Sequence, residues 1–366
     1  MFAHDGPLTQ LVLRPLVTPV TERLRARHVS VTSVAVVSLA AGLCAALLAA
    51  SGTRFSLIVG AALLALSCGA DCVVTDLLRL TGSTQGVRTW LTSMLRRIKE
   101  FALLAGLAVG SARFGHDVWT LASVALAVVT FQGLGNESFR AHAAAGDRGV
   151  TSWVDIASRV RSTDWLLLAA IVMLVGQARQ VLALLVVVVG ALAVYGLVVR
   201  LATTWELPAD RAAGERSRQL LLMADPGPLA FLVGQQDPQW SVLRRVVQTR
   251  PGWLTPQATW LVEAIVLIAL VKTPEADVAP MGLLVLAVIA LHRFDIGYRL
   301  RGGDNGPAGW VLIVGLGALG RALAYLVLAA ATWLGGGLIA LTLLWVSAFS
   351  GESSGAWAEA PQGRSG

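Results

Sequence analysis

Between Gly69 and Glu100 the chain reads GADCVVTDLLRLTGSTQGVRTWLTSMLRRIKE, at the end of one long apolar run and the start of the next. Asp71, Asp76, Arg79, Arg88, Arg96, Arg97 and Lys99 fall in this stretch. Guanidinium groups hold carboxylates and phosphates through paired N–H donors, and a carboxyl group beside a bound anion can give or take a proton. These residue types suit an anion clamp made by Arg79, Arg88 and Arg96, with Asp71 as the catalytic acid or base. Residues 71, 75 and 79 share one helix face, and 92, 96, 99 and 100 share another. Thr75, Thr92 and Lys99 therefore join the substrate-binding set. The plainer reading is a salt bridge. A carboxylate at mid-span costs roughly 3 kcal/mol on insertion scales, so Asp71 must be paired or face a wet cavity.

The elements that carry these residues are membrane spans. The 366-residue chain is 55% hydrophobic and 14% charged, with mean hydropathy +0.69. A soluble chain of this length would carry more charge. Apolar segments approaching the ~20 residues that cross a bilayer lie at about 30–51, 55–78, 90–112, 117–135, 164–178 and 180–200. A second set follows at about 257–271, 278–293, 309–329 and 331–349. The expected fold is an all-α, polytopic integral membrane helix bundle. Residues 1–29 read as a basic interfacial segment with no cleaved signal peptide, because the first apolar run is a full span. Residues 30–201 form a first transmembrane domain. The Pro- and Arg-rich stretch 202–255 is a cytoplasmic linker, and 256–349 a second transmembrane domain. The Ser/Gly/Ala-rich residues 350–366 read as a disordered tail.

Ten spans put both termini on one side of the membrane. Arg54, Arg113, Arg179 and Lys272 fall on the other side and Arg321 within a span, leaving the rest of the 29 basic residues on the side of the termini. This asymmetry predicts a cytoplasmic N-terminus in the plasma membrane. The net charge of +7 reflects topology and attraction to the bilayer's anionic head groups. Nucleic acid is excluded as a partner, since the arginines are dispersed between spans. Cys44, Cys68 and Cys72 lie in or beside apolar runs and read as packed small residues. Trp90, Trp119, Trp165, Trp310 and Trp345 stand near span ends, as interfacial anchors would.

The stretches RHVSVTSVAVVSLAAGL, LLRLTG around Arg79, RTWL and RRIKEFALLAGLA resemble the CDP-alcohol phosphotransferases, which make phospholipids inside the membrane. The likeness covers roughly residues 10–201. That family carries D-x2-D-G-x2-A-R, eight or nine residues, then G-x3-D-x3-D. Anchored on Asp71, the pattern keeps Asp71 and Arg79, but Val74, Thr75, Leu78, Arg88, Thr92 and Arg96 stand where its other residues belong. The resemblance implies a six-helix core followed by about four further spans, and a homodimer as assembly. In the family the four aspartates hold two divalent cations for an in-line phosphoryl transfer. One remaining carboxylate opposite a guanidinium cannot, so neither a metal site nor any cofactor is expected, and magnesium-dependent transfer is excluded. Packing as in the family would set Asp71 against Arg96. Residues 257–349 resemble a membrane domain of unknown function that accompanies the family in actinobacteria.

Gly315, Gly317 and Gly320 form a GxGxxG, which reads as a small-residue helix-packing face, because no soluble strand–helix unit surrounds it. HRFDIGYRLR (292–301) reads as an interfacial anchor with Asp295 and Arg299 paired at i,i+4. The loop 136–164, with Glu137, His142, Asp147 and Asp155, reads as a solvated, partly helical connection.

Three functions stay open on these residues. The first is a repurposed membrane enzyme of specialised metabolism, acting on a small anionic or zwitterionic substrate that enters between the second and third spans; diazotisation or N-nitrosation is one example. The second is a non-catalytic pseudoenzyme, acting as scaffold or partner subunit in phospholipid synthesis. The third is a small-molecule or lipid transporter, which shows no visible inverted repeats.

Overall fold

A computed structural model describes residues 6, 8–80, 87–115, 117–143, 162–206, 220, 222–225, 227–228, 252–272, 278–301 and 307–359. All regular structure among them is helical. Among the described residues seven helical segments, one of them the interrupted stretch Gly309–Ala330, are long and apolar enough to cross a membrane, which makes this a multi-pass membrane protein. The chain divides into two compact units, residues 1–129 with 150–196, and 130–149 with 197–366.

In the first unit a short turn, Thr9–Leu13, leads into α1 (Arg14–Ala26). Then follow α2 (Val31–Ser51), α3 (Arg54–Leu80), α4 (Val87–Ala112), α5 (Trp119–Ala143), α6 (Ser162–Val175) and α7 (Ala178–Glu206), of which α5 and α7 end in the second unit. Ser30 opens α2 by accepting from the Ser33 amide, and Gly52, at φ 71°, closes it in the left-handed region where a Cβ is costly. Arg54 donates to the Gly176 carbonyl at 2.8 Å, capping the C-terminal end of α6.

α2 packs against both α3 and α4. The approach of α4 is close because Gly106 and Gly110 present no side chain to α2. A Cβ on Gly106 would lie 2.2 Å from the Ala46 carbonyl oxygen, and one on Gly110 2.1 Å from that of Ala49. Small residues four apart are how membrane helices bring backbones together without a hydrophobic driving force. α1 lies on α3, with Val17 and Thr21 buried and Arg14 paired with Asp76. Asp164, at the start of α6, accepts from both the amide and the hydroxyl of Thr9 at 2.9 Å.

The second unit holds α8 (Thr255–Val271), α9 (Ala279–Arg301), α10 (Gly309–Val314), α11 (Gly317–Ala330) and α12 (Leu334–Glu359). α8 packs on α9 and α11, and α12 on α9, α10 and α11.

Several expectations are corrected here. The segment 309–329 is not one helix: Leu316 (φ 59°) and Gly317 (φ 67°) are left-handed and divide it into α10 and α11. The GxGxxG thus breaks a span, because two consecutive left-handed residues interrupt the i→i−4 ladder. Trp345 is fully buried and donates to the freed Val314 carbonyl at 3.1 Å, and Trp165 is buried too, so neither is an interfacial anchor. The tail expected from residue 350 continues α12 to Glu359. Arg299 pairs with Glu352, and Ser353 donates to Asp295 at 2.6 Å. An ion pair to a distant helix overrides the low-complexity composition. Leu220, Met223, Ala224 and Asp225, within the expected linker, are buried in the second unit. Of the loop 136–164, residues 136–143 continue α5 and 162–164 begin α6, while Asp147 and Asp155 lie outside the described residues.

Candidate functional site

Asp71 lies on the buried face of α3, 6% exposed, about two and a half turns before the end of the helix. α2 supplies Ser38 to it, and α4 supplies Arg96 and Lys99. Lys99 Nζ stands 2.6 Å from Asp71 Oδ2, and Arg96 Nε 3.3 Å from the same oxygen. The Ser38 hydroxyl donates to Asp71 Oδ1 at 2.7 Å. Lys99 also donates to Ser38 Oγ at 2.6 Å and to Ser67 Oγ at 2.8 Å.

Lys99 reaches this position because Gly42 of α2 leaves room. A Cβ on Gly42 would lie 2.8 Å from Lys99 Cδ and 3.2 Å from Ser67 Oγ. The ammonium group, 1% exposed, then finds a carboxylate and two hydroxyls, which is what a desolvated charge requires. One carboxylate faces two cations, so this trio carries an excess of positive charge. Next to it on α4, Arg97 pairs with Glu100 at 2.7 Å.

A small recess opens beside Asp71, enclosing about 230 Å³ with its mouth included. Ser38, Asp71, Val74, Thr92, Arg96 and Lys99 help to line it. Its interior has space for about one water molecule. Of the predicted site residues, Asp71, Thr92, Arg96 and Lys99 are brought together. Thr75 donates instead to the Asp71 carbonyl of its own helix at 2.8 Å. Arg79, near the C-terminal end of α3, is not among the lining residues. Arg88 stands in the first turn of α4, and its side chain lies outside the described residues.

The residues do not fit a two-cation centre. Hard divalent cations need several anionic oxygens, and here Asp71 offers one carboxylate already facing Lys99 and Arg96. Among the described residues no group of three or more His, Cys, Asp or Glu side chains could hold a metal ion. The donor set is therefore that of an ionic tie or an anion pocket, not of a metal clamp.

Ser38, Ser67 and Gly42 were not singled out from the sequence. Ser67 stands one helical turn before Asp71, so i,i+4 spacing could have found it. Ser38 and Gly42 are on another helix, and no local pattern points to them.

Comparison with protein-family models, curated proteins and solved structures finds no match.

Proposed function

We propose that this chain is a non-catalytic relative of the CDP-alcohol phosphotransferases, a scaffold or partner subunit of phospholipid synthesis in the plasma membrane. In this reading α2–α7 correspond to the family's six-helix core, the N-terminus is cytoplasmic, and the metal centre has become an ionic tie. The observation that carries it is the Lys99 ammonium 2.6 Å from Asp71 Oδ2. A cation supplied by the chain itself there neutralises the carboxylate without the two metals the transfer needs. The pairing observed between Asp71 and Arg96 supports the same correspondence. The test has two arms. Purified protein, given a CDP-activated alcohol, an acceptor and magnesium or manganese, should release no CMP. The tagged chain should co-purify from its own membranes with an active phosphotransferase whose turnover falls when this chain is deleted. Metal-dependent CMP release that disappears in Asp71→Asn would end the proposal.

A second reading is a repurposed enzyme acting on a small anionic or zwitterionic molecule, with Asp71 as proton donor or acceptor. The recess favours it, because Asp71, Thr92 and Arg96 all line an opening and the Arg96 side chain is 22% exposed. Its substrate requires the helices to part, since the recess has space for about one water. On this reading Asp71→Asn folds normally but makes no product. Full activity in a folded Asp71→Asn protein would exclude it.

A further inference from the structure

In the second unit, the side chains a membrane interior tolerates least meet at the break between α10 and α11. Arg293, Arg321 and Glu263 are all 0% exposed. Glu263 Oε2 lies 3.0 Å from Arg293 Nη2 and 3.0 Å from Arg321 Nη2. Arg321 Nη1 donates to the Gly315 carbonyl, freed by the break, at 2.8 Å. With Glu263 as sole counter-ion, two buried guanidinium groups would leave one positive charge unbalanced. Buried charges of that kind are paired or mark a ligand.

The balancing carboxylate comes from outside the spans. Asp225 Oδ2 lies 2.6 Å from Arg321 Nη2. Two backbone contacts hold its segment. The Ala318 amide, in the first turn of α11, donates to the Asp225 carbonyl at 3.0 Å. The Thr259 hydroxyl donates to the Ala224 carbonyl at 3.1 Å. Asp225 has φ 52° and Gly227 φ 70°. A Cβ on Gly227 would lie 2.3 Å from the Leu316 carbonyl oxygen, so this connection runs directly against the helix break. Bonding capacity remains nearby. His292 Nδ1 and Arg293 Nε are buried without a hydrogen-bond partner, and His292 and Arg293 both feel the charge of Asp225.

We propose that the second unit contains a binding site for a small anion, a carboxylate or phosphate, and that Asp225 occupies it as the chain's own internal ligand. Arg321 provides the guanidinium, and withdrawal of the Asp225 backbone carbonyl frees the Ala318 amide at the start of α11 as a second donor. The second counter-ion sits on a connecting segment and not on a span, so it can leave without breaking a membrane helix. Discontinuous helices with ionisable side chains at the break are how membrane proteins build sites for anionic groups. Displacement of residues 222–225 by the free anion would open the site, with Met223 leaving its packing against Ile296 and Leu300.

The test is anion rescue on the full chain in detergent. Asp225→Gly removes the carboxylate, leaves its place in the site open and suits the positive φ there. Its melting temperature should rise by several degrees in sodium formate or sodium phosphate over sodium chloride at equal ionic strength, while the wild type shifts by less than a degree. Rescue by the lower concentration of one anion decides between carboxylate and phosphate. Equal melting of Asp225→Gly in all three salts overturns the proposal. If the variant does not accumulate in chloride, its recovery as a monodisperse species only with formate or phosphate gives the supporting result, and failure in all three overturns it. A second measurement uses Met223→Cys, with exposed Cys44 changed to Ser. Formate or phosphate should raise maleimide labelling at position 223 several-fold over chloride, and unchanged labelling returns Asp225 to a fixed structural role.

Discussion

Lys99 Nζ and Asp71 Oδ2 lie 2.6 Å apart, one from α4 and one from α3, at the carboxylate that the sequence singles out as the centre of the site. The consequence is energetic before it is catalytic. Lys99→Met leaves Asp71 with the partly exposed Arg96 and the Ser38 hydroxyl and should cost about 3–5 kcal/mol, the usual penalty for removing one partner of a buried pair. Asp71→Leu should cost a similar amount. The double variant Asp71→Leu/Lys99→Met should cost less than either single change, since Arg96 is partly exposed and can turn towards water. Thermal melts of the four proteins in one detergent give the coupling. Additive single losses would mean that the two residues are not a pair.

The contact of α2 with α4 depends on Gly106 and Gly110. Added methyl groups would meet the backbone carbonyls of Ala46 and Ala49 at 2.2 and 2.1 Å, and backbone cannot rotate away as a flexible side chain can. Gly106→Ala and Gly110→Ala should each destabilise the first unit by about 1–3 kcal/mol. Gly351→Ala is the control, because nothing lies within 4 Å of a Cβ there. It should be neutral or gain up to about 1 kcal/mol of helix propensity.

Asp225 predicts a pH dependence. Burial pushes its carboxyl up, but Arg321, with His292 and Arg293 beyond it, outweighs burial and holds it below the usual carboxylate range. A folded pKa below the unfolded value, about 3.9, gives stability that is fully present above that value and is lost as pH falls through the folded one. Glu263, the other carboxylate on Arg321, is unchanged between the two proteins. The difference in melting temperature between wild type and Asp225→Asn should be constant from neutral pH to about 5. It should shrink as the pH falls below about 4. A gap that stays open at the acid end would show that the Asp225 charge does not stabilise the fold.

The end of α12 is structural. Glu352 pairs with Arg299 and lies near the Ala308 amide, which donates to it at 3.3 Å. Truncation after Ser350 should lower the melting temperature by several degrees, and Glu352→Gln should account for most of that loss. A truncated chain that melts like the full one would contradict the role of this pair.

Hydropathy alone determined that the chain is a multi-pass helical membrane protein, because insertion energy sums over a local window of residues. Charge type and helical spacing also marked Asp71 on one helix and put Thr92, Arg96 and Lys99 on one face of the next, while the facing of the two helices was only what the family resemblance implied. What they could not determine was which cation takes the carboxylate. Lys99 wins the closer position because Gly42, far away in sequence, leaves its stem a passage across α2, and Ser38 completes the bonding. The break at Leu316 was equally out of reach, since a GxGxxG inside an apolar run is compatible with a straight packing face. The left-handed pair holds here because Trp345 and Arg321 satisfy the carbonyls it releases. Composition made residues 202–255 a linker and 350–366 a tail, yet Asp225 and Glu352 are buried against arginines of distant helices. Ion pairs of this kind depend on how each helix is rotated about its axis and on which segment returns to it. Those choices are made by long-range packing, and only the tertiary structure contains them.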